Sequence, residues 1–435
     1  MAGNQEPTQS AVDRTRVARV FAQLATQVGV GAVVGVLSGL ASALFLWALE
    51  RATHTREQHA VLVYLLPVAG VVLGLLYERL GKPIKGGQNL VIDTIHDGGP
   101  TLPLRMAPMI LIGTVLTHLF GGSAGREGAA VQMGASLADA FAARLGLSGA
   151  MRRKILVAGV AGGFGSVFGT PIAGTVFGLE FIVLGRVEYR ALVPALTAAV
   201  IGDMTTRRLG IVHTPYPTVA AVPLTFVLVL KWLVFAAAVA LVTFAFIEGL
   251  HFTKRQAEKR IPRLPVRMMI GGAIVVVMWK LSGTDDFLGL GVPQIVHAFA
   301  PGGASTWAFA LKMVFTIVTL SSGFLGGEVT PLFFVGATLG AVLARLLGIP
   351  VELGAGVGLA AVFATASNTP LALSIMATEL LGVGALPHVL IVCVVAYALT
   401  GSRSIYQAQR QSFPKLPVDP ADHDEPASKS KDLRG

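Results

Sequence analysis

Apolar residues run along this chain in long blocks: Leu24 to Leu49, Val61 to Tyr77, Ala107 to Leu119, Ile155 to Leu184, Val222 to Ile247, Met268 to Leu281, Ala308 to Leu320, Leu332 to Leu347 and Leu386 to Leu399. Blocks of this kind predict helices, and the lack of alternation at period two argues against a β-barrel. A bilayer crossing takes about 20 residues, and many of these blocks are shorter or are cut by Gly, Pro or Asn. Four short segments open on such breaks: Gly86-Gly87-Gln88-Asn89, Gly121 to Gly128, Gly289-Leu290-Gly291-Val292-Pro293 and Gly326-Gly327-Glu328-Val329-Thr330-Pro331. A helix start carries unsatisfied amides and the positive end of the helix dipole. Several starts aimed at one point make an anion site with no lysine or arginine in it.

The pattern also repeats. A shift of 199 residues lays Gly159, Ala161, Phe164, Thr170, Pro171, Ala173, Glu180 and Gly185 on Gly358, Ala360, Phe363, Thr369, Pro370, Ala372, Glu379 and Gly384. A shift of 202 lays Gly87, Gly125, Gly134, Ala135 and Leu137 on Gly289, Gly327, Gly336, Ala337 and Leu339. Arg14, Arg16 and Arg19 precede the first long apolar block, whereas in the second half the uncharged stretch Thr214 to Pro223 precedes it and the cluster Lys254 to Arg267 follows. By the positive-inside rule the halves enter the membrane from opposite sides. The predicted fold is therefore an all-α polytopic membrane protein of two inverted-topology repeats with broken or re-entrant helices. Its divisions are a cytoplasmic N-terminal segment (1–20), a first repeat (21–213), a second repeat (214–411) and a disordered cytoplasmic tail (412–435).

Composition agrees with a membrane protein. Of 435 residues 53% are hydrophobic and 13% charged, about half the charge of a soluble domain. The net charge of +10 gathers beside the apolar blocks, which reads as topology and excludes nucleic acid as a partner. Cys393 stands alone, so no internal disulfide framework exists. The polar start of the chain has no removable signal peptide, leaving the first helix as the targeting signal. No nucleotide loop, Cys/His metal set or partnered nucleophile is present, and His96, His118 and His297 lack metal-ligand spacing. No cofactor is expected, and the energy for any uphill step must come from ion gradients.

The ordered motifs resemble those of the CLC family of anion channels and anion/proton antiporters, from about residue 24 to 410. Gly125-Arg126-Glu127-Gly128 is similar to the family's G-R-E-G, Gly327 to Pro331 sits where members carry G-x-F-x-P, Gly169 to Gly174 resembles G-T-P-x-A-G, and Ser402 to Tyr406 resembles the late tyrosine segment. Three departures resemble the fluoride-exporting branch. The chloride members' G-S-G-I-P is replaced by Gly87-Gln88-Asn89-Leu90-Val91, the third motif has Val329 and Thr330 in place of phenylalanine, and Glu180 is followed by Phe181 where chloride/proton exchangers place an inner acid.

Glu127 is the central candidate, because an acid opening an intramembrane helix is expensive. The resemblance implies a gate that mimics the anion when ionised and carries the proton when protonated; the bland alternative is a cap of the helix dipole. Gly125, Arg126 and Gly128 flank it as anion-binding candidates, although an arginine there is more often a structural partner of backbone carbonyls or of another acid than an anion ligand. Gln88 and Asn89 offer amide hydrogens suited to strongly hydrated fluoride, or N-caps. Thr330 is a candidate polar contact and Val329 a pore-shaping or packing residue. Phe333 offers a ring edge or simple packing, and Tyr406 a phenolic donor or an interfacial anchor. Glu180, Glu379 and Glu328 are further acids, readable as proton-route or structural groups.

The reading that results is a fluoride/proton antiporter of a bacterial inner membrane, both termini cytoplasmic, exporting fluoride with Glu127 as gate and proton carrier. Fluoride, with chloride as the alternative anion, protons and membrane lipid are its partners, and the resemblance adds a homodimer. The alternatives are a chloride/proton antiporter or chloride channel of the same fold, an intramembrane enzyme using Glu127, and a sensor that binds without transport. The absence of a second catalytic partner weighs against the enzyme, and the absence of a signalling domain against the sensor.

Overall fold

A computed structural model describes residues 9–411 and Lys415, with side chains from Arg16 onward; the other tail positions, for which disorder is expected, and Arg14 as a side chain lie outside the described residues. Sixteen α-helices fall into two successive sets of eight. The first set is α1 Gln9–Gln58, α2 Leu66–Leu80, α3 Gln88–Asp97, α4 Met106–Leu119, α5 Glu127–Arg144, α6 Gly149–Phe168, α7 Pro171–Glu180 and α8 Leu192–Arg208. The second is α9 Phe226–Arg260, α10 Leu264–Ser282, α11 Val292–His297, α12 Ala308–Ser321, α13 Val329–Leu347, α14 Val351–Ser367, α15 Pro370–Leu381 and α16 Leu386–Leu399. Two residue pairs, β1 Val183–Leu184 and β2 Arg410–Gln411, form a short parallel ladder.

Among the described residues five helices are long and apolar enough to cross a membrane: Arg16–Gln58, Ala60–Leu80, Phe226–Arg260, Leu264–Ser282 and Val329–Leu347. The rest are shorter or less apolar, and wherever such a helix ends at membrane depth neighbouring segments must satisfy its backbone. The apolar blocks located most helices but not all. The block Ile155 to Leu184 is two helices, because Gly169 at φ 74 takes a left-handed C-cap and Pro171 opens α7. The repeat position of Gly169 is Asn368, at φ 60, the other residue type that accepts this conformation readily. Helices α8 and α14 escape the block pattern because their buried faces are built largely from small residues such as Ala and Gly, and α15 lies outside it as well.

Those small residues set the packing. A Cβ on Gly159 of α6 would lie 2.6 Å from the Gly134 carbonyl of α5. The repeat-related pair, Gly336 of α13 and Gly358 of α14, is closer still, so backbones touch where lipid supplies no hydrophobic drive.

Helices α7 and α15 lie side by side and run antiparallel, each capping the other. Glu180, near the end of α7, accepts from Leu371 N at 3.2 Å and Ala372 N at 2.8 Å, the first amides of α15. Glu379 of α15 accepts from Ile172 N at 3.0 Å and Ala173 N at 2.8 Å, the first amides of α7. A carboxylate at a helix start satisfies orphan amides and opposes the dipole. This exchange accounts for both repeat-matched acids as structural groups.

Candidate functional site

The two broken segments that open α5 and α13 meet head to head. Gly125 N donates to Gly327 O at 2.6 Å, and Gly327 N donates to Gly125 O at 2.8 Å. These residues are repeat mates, so the contact lies on the pseudo-two-fold relation between the halves. A Cβ on Gly125 would sit 3.0 Å from Gly327 O and from Thr330 N, which leaves little room for any side chain. Gly125, expected among the anion-binding residues, has its amide spent on Gly327 O, and the amides that donate to the Glu127 carboxylate are those of Arg126 and Thr330.

Glu127 is only 1% exposed and its carboxylate sits between the two helix starts. Oε2 accepts from Arg126 N at 3.1 Å and Thr330 N at 3.2 Å. The Thr330 hydroxyl lies 2.6 Å from each carboxylate oxygen, and Arg126 Nε reaches Oε1 at 3.4 Å. One helix start supplies the acid and both supply donors to it. The carboxylate thus fills a cradle of amide, hydroxyl and guanidinium donors, a set that equally suits a small inorganic anion. Arg126 serves as an ion-pair partner and as a backbone donor. Val329 is buried at the first turn of α13, and no polar contact involves its side chain.

A second group of residues gathers at Gly128. A Cβ there would lie 3.4 Å from Gln88 Nε2 and 3.8 Å from Glu328 Oε2, so glycine keeps open the space that these groups share. Gln88 Nε2 donates to the Tyr406 hydroxyl at 3.5 Å, and both residues are buried. Two buried amide oxygens here, Gln88 Oε1 and Gln132 Oε1, have no protein partner. Such groups are satisfied by water or a ligand when a site is filled. Asn89 takes a different place: its Oδ1 accepts from Ala408 N at 3.1 Å and ties α3 to the late segment carrying Tyr406.

Gln409 completes that tie. Its Nε2 donates to Phe181 O at 2.6 Å and Ser367 O at 2.8 Å, while its Oε1 accepts from Asn368 Nδ2 at 3.1 Å. Tyr406 is thereby fixed, its ring at 5.6 Å and 88° to Phe181. From Phe181 the ring contacts continue to Phe177 at 5.1 Å, Phe363 at 6.1 Å and Phe333 at 5.8 Å. Phe333 is wholly buried in this series, on the helix that begins beside Thr330.

Sequence reasoning brought Glu127, Arg126, Gly128, Thr330, Gln88 and Tyr406 to one region. It missed Gln132, five residues beyond Glu127, and left Glu328 open between a proton-route and a structural group. The second acid is Glu328, mate of Arg126, displaced by one position. The signal was present in the repeat register. Among the described residues no cluster of His, Cys, Asp or Glu could hold a metal ion.

The sequence matches the profile of the family described as voltage gated chloride channel over residues 69–401. A chloride/fluoride channel protein of Pseudomonas syringae pv. tomato is 45% identical over 403 residues, covering 90% of this chain and 88% of that protein. A crystal structure of a CLC-type fluoride/proton antiporter superposes with a TM-score of 0.87 at 38% identity, covering 89% of this chain and 98% of the other. A slow cyanobacterial Cl−/H+ antiporter shares the fold, with a TM-score of 0.78 at 18% identity, covering 87% and 96% of the two chains.

Proposed function

The chain belongs to the voltage gated chloride channel, or CLC, family, and on that premise we propose that it exports fluoride from the cytoplasm in exchange for protons. The observation that carries this reading is the Glu127 carboxylate held by Arg126 N, Thr330 N and the Thr330 hydroxyl at 3.1, 3.2 and 2.6 Å. An ionised Glu127 occupies an anion's place. Protonation removes its charge and weakens its hold on donors that prefer an anion, so the side chain leaves with the proton while fluoride takes the cradle. Return of the carboxylate displaces the anion, and this competition couples the two movements.

Fluoride demands short, strong hydrogen bonds before it gives up water, and a hydroxyl with backbone amides supplies them. Gln88, Tyr406 and Glu328 serve the inner end of the route, where Gly128 leaves space. Gly125 and Gly327 fix the geometry, Val329 and Phe333 wall the path, and Asn89 holds Tyr406 through Ala408. The inward proton gradient supplies the energy. The similarity of this chain to the fluoride/proton antiporter and to the chloride/fluoride channel protein supports the substrate assignment.

The molecule takes the form of two inverted repeats, 21–213 and 214–411, in a bacterial inner membrane with both termini cytoplasmic. Two copies associate through the face made by α7, α8, α15 and α16. These helices carry the exposed apolar residues Ile172, Leu196, Leu371 and Val394 together with Glu379, an exposed carboxylate that lipid tails disfavour.

Efflux from liposomes holding the purified protein tests the reading. Fluoride efflux accompanied by proton uptake is expected, with chloride efflux much slower. Equal chloride and fluoride rates would refute the selectivity, and fluoride flux without proton movement would refute exchange.

A further inference from the structure

Two cations lie buried beside the loop at Gly289, and nothing in the reading above uses them. Lys312 of α12 is 0% exposed and Arg56 of α1 is 6% exposed. Lys312 Nζ donates to Phe287 O at 3.1 Å and Gly289 O at 2.7 Å, and lies 5.4 Å from the ring centroid of Phe334. Among the described residues no carboxylate lies within ion-pairing distance of it. Arg56 presses its guanidinium against the same Gly289 and donates to His118 O at 3.3 Å. Its ion-pair partner Glu57 stands 3.6 Å away and is 53% exposed, so solvent screens that pair.

Each cation is linked to the site through one or two intervening residues. The His118 ring bonds Ala124 O at 2.9 Å, and Ala124 immediately precedes Gly125. Phe334 is one helical turn beyond Thr330 on α13, the same face of the helix. The loop they hold, at Gly289, is the repeat mate of the loop that carries Gln88 and Asn89. In the first half that loop bears amide side chains. In the second half it bears Leu290 and Gly291, and cations from α1 and α12 come to it instead.

Holding a loop's carbonyl groups needs donors, not charge. A glutamine or serine could supply donors without the cost of an unpaired buried charge. Arg56 is attracted by Asp285 as well as by Glu57, whereas Lys312 has no carboxylate partner among the described residues; the carboxylates of the transport site are those of Glu127 and Glu328. Resting on the fluoride/proton reading, we infer that Lys312 and Arg56 are electrostatic positioning residues for transport: their charges offset the repulsion between these carboxylates and the incoming anion, and so set anion affinity. They touch neither the anion nor Glu127.

The test is fluoride efflux from liposomes of fixed lipid composition, measured against internal fluoride concentration for the full-length protein and its variants. Lys312→Gln keeps a donor for the loop and removes the charge, whereas Lys312→Arg keeps both. The inference expects Lys312→Gln to raise the half-saturating fluoride concentration roughly tenfold, with the maximal rate changed less than about threefold, and Lys312→Arg to stay near the unmodified protein. Arg56→Gln is expected to move half-saturation in the same direction, and carries the test if Lys312→Gln does not fold. Half-saturation within about twofold of the unmodified protein in the folded neutral variants would overturn the inference and reduce both cations to loop clamps. Failure of the unmodified protein itself to move fluoride would instead overturn the reading on which it rests.

Discussion

At the scale of single residues, Glu127 and Thr330 are the informative pair. The hydroxyl of Thr330 lies 2.6 Å from both carboxylate oxygens, and a hydrogen bond to a charged group is worth about 1.5–3 kcal/mol. Thr330→Val is therefore expected to slow coupled fluoride exchange by roughly ten- to a hundredfold, while Thr330→Ser restores most of it. Rates measured in liposomes at matched protein density check this; an unchanged Thr330→Val rate would mean that the hydroxyl only packs. Glu127→Gln is expected to abolish proton-coupled transport, read as loss of proton uptake during fluoride efflux. Coupling that survived would leave Glu127 as a helix cap. The sequence made Glu127 conspicuous through its cost in an apolar setting, but it left Asn89 open between cap and anion donor. Its amide oxygen faces Ala408 N, so Asn89→Ala is expected to lower thermal stability in detergent by about 1 kcal/mol without changing fluoride-over-chloride preference.

Elements are held together by devices that repeat across the two halves. Glu180 binds the start of α15 and Glu379 the start of α7, with two backbone amides each. Glu180→Ala leaves two buried amides of α15 without an acceptor and is expected to cost about 1–3 kcal/mol of stability, read as a lowered unfolding temperature, with proton coupling retained in whatever protein remains folded. Lost coupling at full stability would make Glu180 a proton-route group. The glycine contacts predict more severe effects. Gly358→Val places branched atoms inside the Gly336 backbone and is expected to prevent recovery of folded protein, while Gly99→Ala, where a Cβ meets nothing within 4 Å, is expected to be silent. Size-exclusion profiles of the two variants separate these outcomes. Repeat spacing in the sequence identified the matched acids and glycines, yet could not say which helices they join. The sequence also showed one apolar block where Gly169 and Pro171 divide α6 from α7, since hydrophobicity does not register a change of backbone direction.

For the whole molecule, the positive-inside rule predicts the basic stretch Lys254 to Arg267 on the cytoplasmic side and the stretch Thr214 to Pro223 on the opposite side. Single cysteines at Arg263 and at Thr218 are expected to react with a membrane-impermeant maleimide from opposite faces of intact cells. The native Cys393 is buried and leaves an unlabelled background. Labelling of both positions from the same face would contradict the inverted arrangement. Inversion also explains how a single site draws on both halves: the starts of α5 and α13 approach from opposite sides and meet at Gly125 and Gly327.

By itself the sequence determined the membrane setting, the helical class, the two-fold repetition, the positions of the breaks and the identity of the central acid. Each of these follows from constraints that act locally along the chain: bilayer thickness, backbone satisfaction in lipid, and the cost of charge. Only the tertiary structure decided what the acid touches. Thr330 is 203 residues from Glu127, and Tyr406 is 318 residues from Gln88, so their pairing depends on how helices from both halves pack. The same packing turned the glycine amides of Gly125 and Gly327 toward each other and brought Lys312 and Arg56 to one loop. A break in a helix announces free backbone groups, but which partner satisfies them is settled only when the surrounding helices close around it.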